Sequence, residues 1–219
     1  MKKAIIIISC LFSFSSWSQN IEVFTGINDN HFYDNVEGSH FTSTYTSDIG
    51  YTFGVAIEDV KVEWSTMRFT LRYDKYQGSI NVRDGSAAGG SKTTAEIDKS
   101  ILSLGVYPFS FFIRKKIQLN IGFELSKLVA ESYEGSRSGY LTGQPSWNDD
   151  LEKTFNQFNS SITAGLVGRI SYDIQINESL ALTPQYVFYY GVSSEFKEFP
   201  KETKSLRNLI SIGIKHKLN

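Results

Sequence analysis

Hydrophobic and polar residues alternate one for one through much of this chain. The clearest run is Lys116 to Leu125, where Ile117, Leu119, Ile121, Phe123 and Leu125 interleave with Gln118, Asn120, Gly122 and Glu124. Successive side chains of a strand point to opposite faces, so this segment has one apolar face and one polar or small face. The same period recurs at Tyr51, Phe53, Val55 and Ile57, and at Met67, Phe69, Leu71 and Tyr73 against Arg68, Thr70 and Arg72. It continues through Leu102, Leu104 and Val106, through Ile162 to Tyr172, through Leu182 to Tyr190, and through Ile210, Ile212 and Ile214. With a short first strand from Ile21 to Phe24, the pattern predicts eight strands.

The phase slips between Trp64 and Met67, which predicts a bulge there. Pro184 removes one ladder donor inside a strand pattern and is expected near a rim or at another bulge. Connections alternate in length. Residues 59–61, 108–115 and 175–178 read as short turns, whereas 27–47, 78–94, 130–159 and 194–204 read as long polar loops rich in Gly, Ser, Asn and Asp. That ordering predicts an all-β fold, an eight-stranded antiparallel up-and-down transmembrane β-barrel with its short turns and both chain ends on one side.

Alternation alone does not distinguish a membrane barrel from a soluble lipocalin-like carrier, but side-chain volume does. The interior of an eight-stranded barrel is just wide enough to be filled by side chains. The apolar set is bulky on nearly every strand, and the opposite set includes Gly54, Gly105, Gly122, Gly165 and Gly213. The bulky face is therefore expected to meet lipid. Aromatic residues cluster near the expected strand ends, with Tyr73, Tyr76, Tyr186, Tyr189 and Tyr190 towards the loops and Phe109, Phe111, Phe112 and Tyr172 towards the turns, as in two interfacial girdles.

The pattern resembles the small outer-membrane barrels of the OmpA/OmpX type and, in detail, the PorT-like barrels of Bacteroidetes. Its most specific stretch is Ile101 to Leu128, where Gly105-Val106-Tyr107-Pro108-Phe109 leads through a basic turn into Leu119-Asn120-Ile121-Gly122-Phe123. The last strand, Ser211 to Leu218, is similar to a barrel-assembly signal, although it ends in Leu218-Asn219 where such signals end in an aromatic. The resemblance implies fold and outer-membrane location, and no activity to carry over residue by residue.

The N-terminus agrees with export. Lys2 and Lys3, the apolar run Ala4 to Phe14 and the small residues of Ser16-Trp17-Ser18 read as a signal peptide over 1–18, leaving 19–219 as the barrel domain. Cleavage removes two of the 22 basic residues, so 20 face 23 acidic ones and the formal charge falls to -3. It also removes Cys10, the only cysteine, so the mature chain has no disulfide to rely on. A balance this close to neutral gives no nucleic-acid footprint.

Three groups of residues invite a chemical reading. The inward polar set, Arg68, Arg72, Glu124, Arg169 and Asp173, is expected to form a salt-bridged plug, since unpaired burial of charge is costly. The same residues would serve a narrow polar channel. Asp29, His31, Asp34, Glu37 and His40 offer carboxylates and imidazoles but match no defined metal spacing, so no metal or other cofactor is expected. No Ser or Asp pairing with His31, His40 or His216 is visible, and no enzyme is expected. Tyr133, Tyr140 and Trp147, among Gly, Ser and Asn in the longest predicted loop, suit contact with a protein or glycan. The expected partners are thus outer-membrane lipid and a ligand of the loops.

Overall fold

The structure, a computed structural model, describes residues 20–34, 41–62, 65–86, 88–113, 116–151, 159–197 and 202–218. The expected signal peptide, Trp64, Glu37 and His40 lie outside them. The strands in chain order are β1 (Asn20–Asp34), β2 (Phe41–Val62), β3 (Ser65–Ser86), β4 (Gly89–Ile113), β5 (Ile117–Leu141), β6 (Trp147–Asp150), β7 (Ile162–Tyr172), β8 (Ile174–Gln175), β9 (Leu180–Gly191) and β10 (Thr203–Lys217). Every pairing is antiparallel. The ring runs β10-β1-β2-β3-β4-β5-β7-β9 and closes where β9 pairs with β10. The short β6 hangs on β5, and β8 continues β7 along β9. Eight strands thus form a closed barrel, and the whole of β1, from Asn20↔Lys217 to Asp34↔Thr203, lies along β10, so both chain ends share one rim.

The apolar alternation faces outward, and the opposite set is buried inside. Phe123 is 58% exposed and Ile210 61%, while Arg68, Arg169 and Arg207 are among the largest fully buried side chains. Only a surrounding of lipid reconciles an apolar exterior with a charged interior, and the barrel is a transmembrane one. The lipocalin-like alternative fails here, because its bulky residues would have to line the cavity.

Strand lengths correct the sequence reading. A tilted strand needs about 9–11 residues to cross a bilayer, yet β2 and β3 each have 22 residues and β4 and β5 each have 25. Most of the expected loop at 78–94 and the first part of that at 130–159 are strands, and 27–34 and 41–47 extend β1 and β2. These extensions form a sheet that rises past the ring, called the projection below. The turns also move. Residues 59–61 belong to β2, which runs on to Val62, the partner of Ser65 on β3. Strand β4 runs on to Ile113 through most of the expected second turn. The bulge expected between Trp64 and Met67 is not at that place, since Ser65, Thr66 and Met67 pair in regular register with Val62, Lys61 and Val60; the register shift lies earlier, between Ile57 and Val60, at Asp59, whose φ of 57° is in the left-handed region that Asp tolerates. Pro184 stays paired with Ile212 of β10. On its other side the ladder breaks between β7 and β8, where a missing N–H leaves no donor.

Two aromatic placements also change. Tyr73, Tyr186 and Tyr190 face out, and Tyr73 stacks near Tyr51 and Phe53, with ring centroids 6.3 and 5.1 Å away. Tyr76 and Tyr189 face in and are buried. Each lies an odd number of positions from an outward tyrosine on its own strand, so alternation sends it to the lumen.

Candidate functional site

The lumen is filled by ion pairs drawn from every side of the ring. Nearest the short-turn rim, Glu22 of β1 accepts hydrogen bonds from Arg68 of β3 (2.7 Å), Arg169 of β7 (3.2 Å) and Gln185 of β9 (3.0 Å). Glu58 of β2 pairs with Arg68, with Arg169 at 3.3 Å and with Lys215 of β10 at 2.6 Å. Lys215 also donates to both oxygens of Asp173 at 2.9 Å. This lower network holds three cations and three anions.

A second network lies above it. Arg72 pairs with Asp74 (2.7 Å) and Glu124 (2.9 Å); Arg207 pairs with Glu124 (3.6 Å) and Glu195 (2.7 Å); Lys99 pairs with Glu195. It too balances three against three. The guanidinium of Arg207 sits over the rings of Tyr189 and Tyr76, 4.2 and 5.3 Å from their centroids, where the π faces favour a cation. Tyr107, Val167, Val187 and Leu209 form an apolar layer between the networks. On β7, for instance, Val167 separates Arg169 below from Gly165, which faces Glu124 above. Small residues make room for this filling. A Cβ at Gly54 would lie 2.6 Å from Cζ of Phe24, and one at Gly165 would overlap the ring of Tyr189.

Above the upper network the chain caps itself. The segment after β9 turns in, held by Glu195 N–H donating to the Thr203 carbonyl (2.7 Å) and Ser160 N–H donating to the Glu195 carbonyl (2.8 Å). It brings Phe196 against Phe32, Ile80, Ala95, Ile97 and Leu151, all buried. Lys99 lies 4.9 Å from the Phe32 ring centroid, joining the charges to the apolar cap.

At the far end of the projection, outward residues of neighbouring strands line up across the sheet. Arg83 faces Lys92, Lys92 faces Ser138, and Ser138 faces Asn148. Tyr140, 53% exposed, stands two residues further along β5 on the same face, beside a cleft of about 550 Å³. Trp147 borders the cleft and lies 5.8 Å from the Arg137 guanidinium.

Solved structures similar to this chain include three small outer-membrane proteins. Neisserial surface protein A is 13% identical over 90% of this chain and 97% of its own, with a TM-score of 0.39. The attachment invasion locus protein Ail of Yersinia pestis is 10% identical over 90% and 99%, at 0.40. The outer membrane protein OprG from Pseudomonas aeruginosa is 12% identical over 92% and 97%, at 0.39. No protein-family profile and no curated sequence matches the chain.

The sequence-expected residues fall into place as follows. Arg68 and Arg169 belong to the lower network with Asp173, which sits at its mouth with a side chain 31% exposed; Arg72 and Glu124 belong to the upper one. Tyr133 turns inward against the apolar cap, while Tyr140 and Trp147 lie at the tip, all three on strands rather than on a loose loop. Asp29 accepts from Ser47 and lies 2.5 Å from His31 Nε2, Asp34 accepts from Tyr45 (2.6 Å), and His216 Nδ1 is 3.2 Å from the Ser179 carbonyl. Among the described residues no three His, Cys, Asp or Glu side chains converge as a metal site.

Sequence reasoning missed Glu22, Glu58, Asp74, Lys99, Glu195, Arg207 and Lys215. Alternation carried a signal for several. Glu22 lies between the apolar Ile21 and Val23, Asp74 follows Arg72 by two, and Lys215 shares the face of Ser211 and Gly213. Glu195 had none, because it lies in an irregular segment whose inward turn is a tertiary event.

Proposed function

We propose that the chain is an exported outer-membrane barrel, closed to ion flow by its own side chains, that anchors the projection as a recognition surface outside the cell. The observation that carries this reading is the lumen filling. Six cations and six anions from seven strands, the residue after β7 and one in-turned segment pair across the ring, and the side chains of the upper network are at most 2% exposed. A pore that passes ions needs water beside its charges, whereas these have one another. The resemblance of Ile101 to Leu128 to PorT-like barrels and the signal-like N-terminus support the outer-membrane address and export, with the short-turn rim in the periplasm. Among the described residues no nucleophile, base and orienting acid come together, and the role we propose is binding and anchorage.

The purified barrel reconstituted in a planar bilayer tests this directly. No steady current is expected from the wild type, and Glu124→Ala should produce transient openings by leaving Arg72 and Arg207 short of a partner. A steady open current through the wild-type protein would replace this reading with that of a narrow channel lined by the same residues.

A further inference from the structure

The tip of the projection carries chemistry that neither lumen nor cap uses. Arg83 and Lys92 are direct cross-strand neighbours. Like charges in that position weaken a sheet, and among the described residues neither side chain has an ion pair or hydrogen bond. The carboxylates of the same outward face are elsewhere. Asp98, Glu96 and Glu134 lie closer to the barrel, separated from Arg83 and Lys92 by the neutral row of Asn81, Thr94 and Ser136. Asp150 faces Ser136, one row nearer the barrel than Asn148, and Asp84, which also borders the cleft, alternates to the opposite face of β3 and pairs with neither cation. Two cations against the one carboxylate of Asp84 leave a net positive spot at the edge of the cleft.

What borders that spot is suited to a sugar. The Tyr140 ring crosses Gly90 so closely that a Cβ there would lie 3.3 Å from Cε1, and its outer side is open. Ser138 and Asn148 continue the row of Arg83 and Lys92 with a hydroxyl and an amide, one donor-acceptor group beside another. The cleft, about 550 Å³, falls within the range of small-ligand sites.

We propose that this cleft binds an anionic saccharide, its carboxylate, sulfate or phosphate held between Arg83 and Lys92, its ring face on Tyr140, and its hydroxyls bonded to Ser138 and Asn148. The proposal rests on the projection being a recognition surface outside the membrane. Its ligand could be a free acidic polysaccharide or the phosphorylated core of a surface glycolipid, and the test separates the two.

The full chain in lipid nanodiscs is titrated calorimetrically with an oligogalacturonate, with a lipid-free phosphorylated core oligosaccharide, with a neutral glucan of equal length, and with inorganic sulfate. At least one of the two acidic oligosaccharides should bind, more tightly than sulfate, and the neutral glucan should not. The doublet Arg83→Gln/Lys92→Gln and the single Tyr140→Phe and Tyr140→Ala variants are compared for heat-dependent mobility in SDS to confirm that they fold. Binding should weaken by at least about tenfold in the doublet and in Tyr140→Ala, and remain in Tyr140→Phe, which keeps the ring. Flat titrations with both acidic sugars overturn the proposal, as does equal binding of the neutral glucan or indifference to Tyr140→Ala. A Thr94→Cys variant on intact cells keeps the two readings apart. If an impermeant maleimide labels it and the sugars do not bind, the saccharide is wrong and the exposed projection stands; if it is not labelled, the anchoring reading itself falls.

Discussion

Strands β3 and β4 pass through two environments, and the same alternation of side chains serves both with opposite polarity. In the ring, β3 sends Arg68, Thr70, Arg72 and Asp74 inward and Phe69, Leu71 and Tyr73 outward; ten residues on, it sends Ile80 and Val82 inward and Asn81 and Arg83 outward. The backbone and its hydrogen bonding are unchanged from one region to the other. What changes is the medium outside, lipid below and water above, so the ring keeps its polar groups within and the projection keeps its apolar ones within. The consequence is a different source of cohesion. The ring's interior depends on paired charges, which stabilise little unless every partner is present, whereas the projection depends on burial of ordinary apolar surface.

The sharpest way to break that contrast is to orphan charges in one region and delete bulk in the other. Glu22→Ala leaves Arg68 and Arg169 without one of their shared carboxylates, and an unfolding titration in lipid vesicles should show a loss of about 3–5 kcal/mol for the whole barrel. Phe196→Ala should cost a comparable amount, about 3–5 kcal/mol, but locally. Hydrogen exchange should then rise around Ile80 and Ile97 while the strands of the ring keep their protection; a uniform rise would mean that the two regions unfold as one.

A matched pair of substitutions on one face of β4 tests the medium itself. Leu104 and Thr94 both point outward, ten residues apart. Leu104→Arg should destabilise the vesicle-embedded barrel by about 2–4 kcal/mol, whereas Thr94→Arg, on a surface in water, should stay within about 0.5 kcal/mol. Equal costs would place the membrane boundary elsewhere.

The smallest effect is expected at the seam of β1 and β2 in the projection. Burial and then the hydrogen bond to Asp34 push the Tyr45 hydroxyl up to about 12. Because the folded value lies above the ordinary one near 10, the contact's contribution is complete below pH 10 and is lost as the pH rises through about 12. Tyrosinate absorbance compared with Tyr45→Phe should show one late-titrating ring, and its absence would remove the contact.

The inversion also explains how much could be read from the chain. Segments such as Lys116 to Leu125 declare themselves because their outward residues are uniformly apolar, and the eight ring strands followed from them. Beyond Tyr73 and before Leu102 the outward positions become Gln77, Ser79, Asn81, Thr94 and Glu96, which taken alone describe a loop. The signal had moved to the other phase, in Tyr76, Ile80, Val82, Ala95 and Ile97. A reader tracking one phase loses the strand where the polarity changes hands. The lumen charges were half legible for the same reason. Arg68, Arg72, Glu124 and Arg169 sit opposite conspicuous apolar runs, whereas Lys99 and Glu195 depend on a segment that folds back into the mouth.

The wiring of the lower network bears on assembly. Glu22 lies on β1, and its partner Arg68 stands 46 residues away, one strand beyond β2, whereas Arg169 stands 147 residues away on β7, which meets it only across a completed ring. An open sheet of the first five strands can make local pairs such as Glu58–Arg68 and Arg72–Asp74, but it leaves Glu22 without Arg169 and Glu124 without Arg207. Joining β1 to β10 therefore seals the wall and supplies the last missing partners at one step, which penalises half-built intermediates and gives insertion a clear end point.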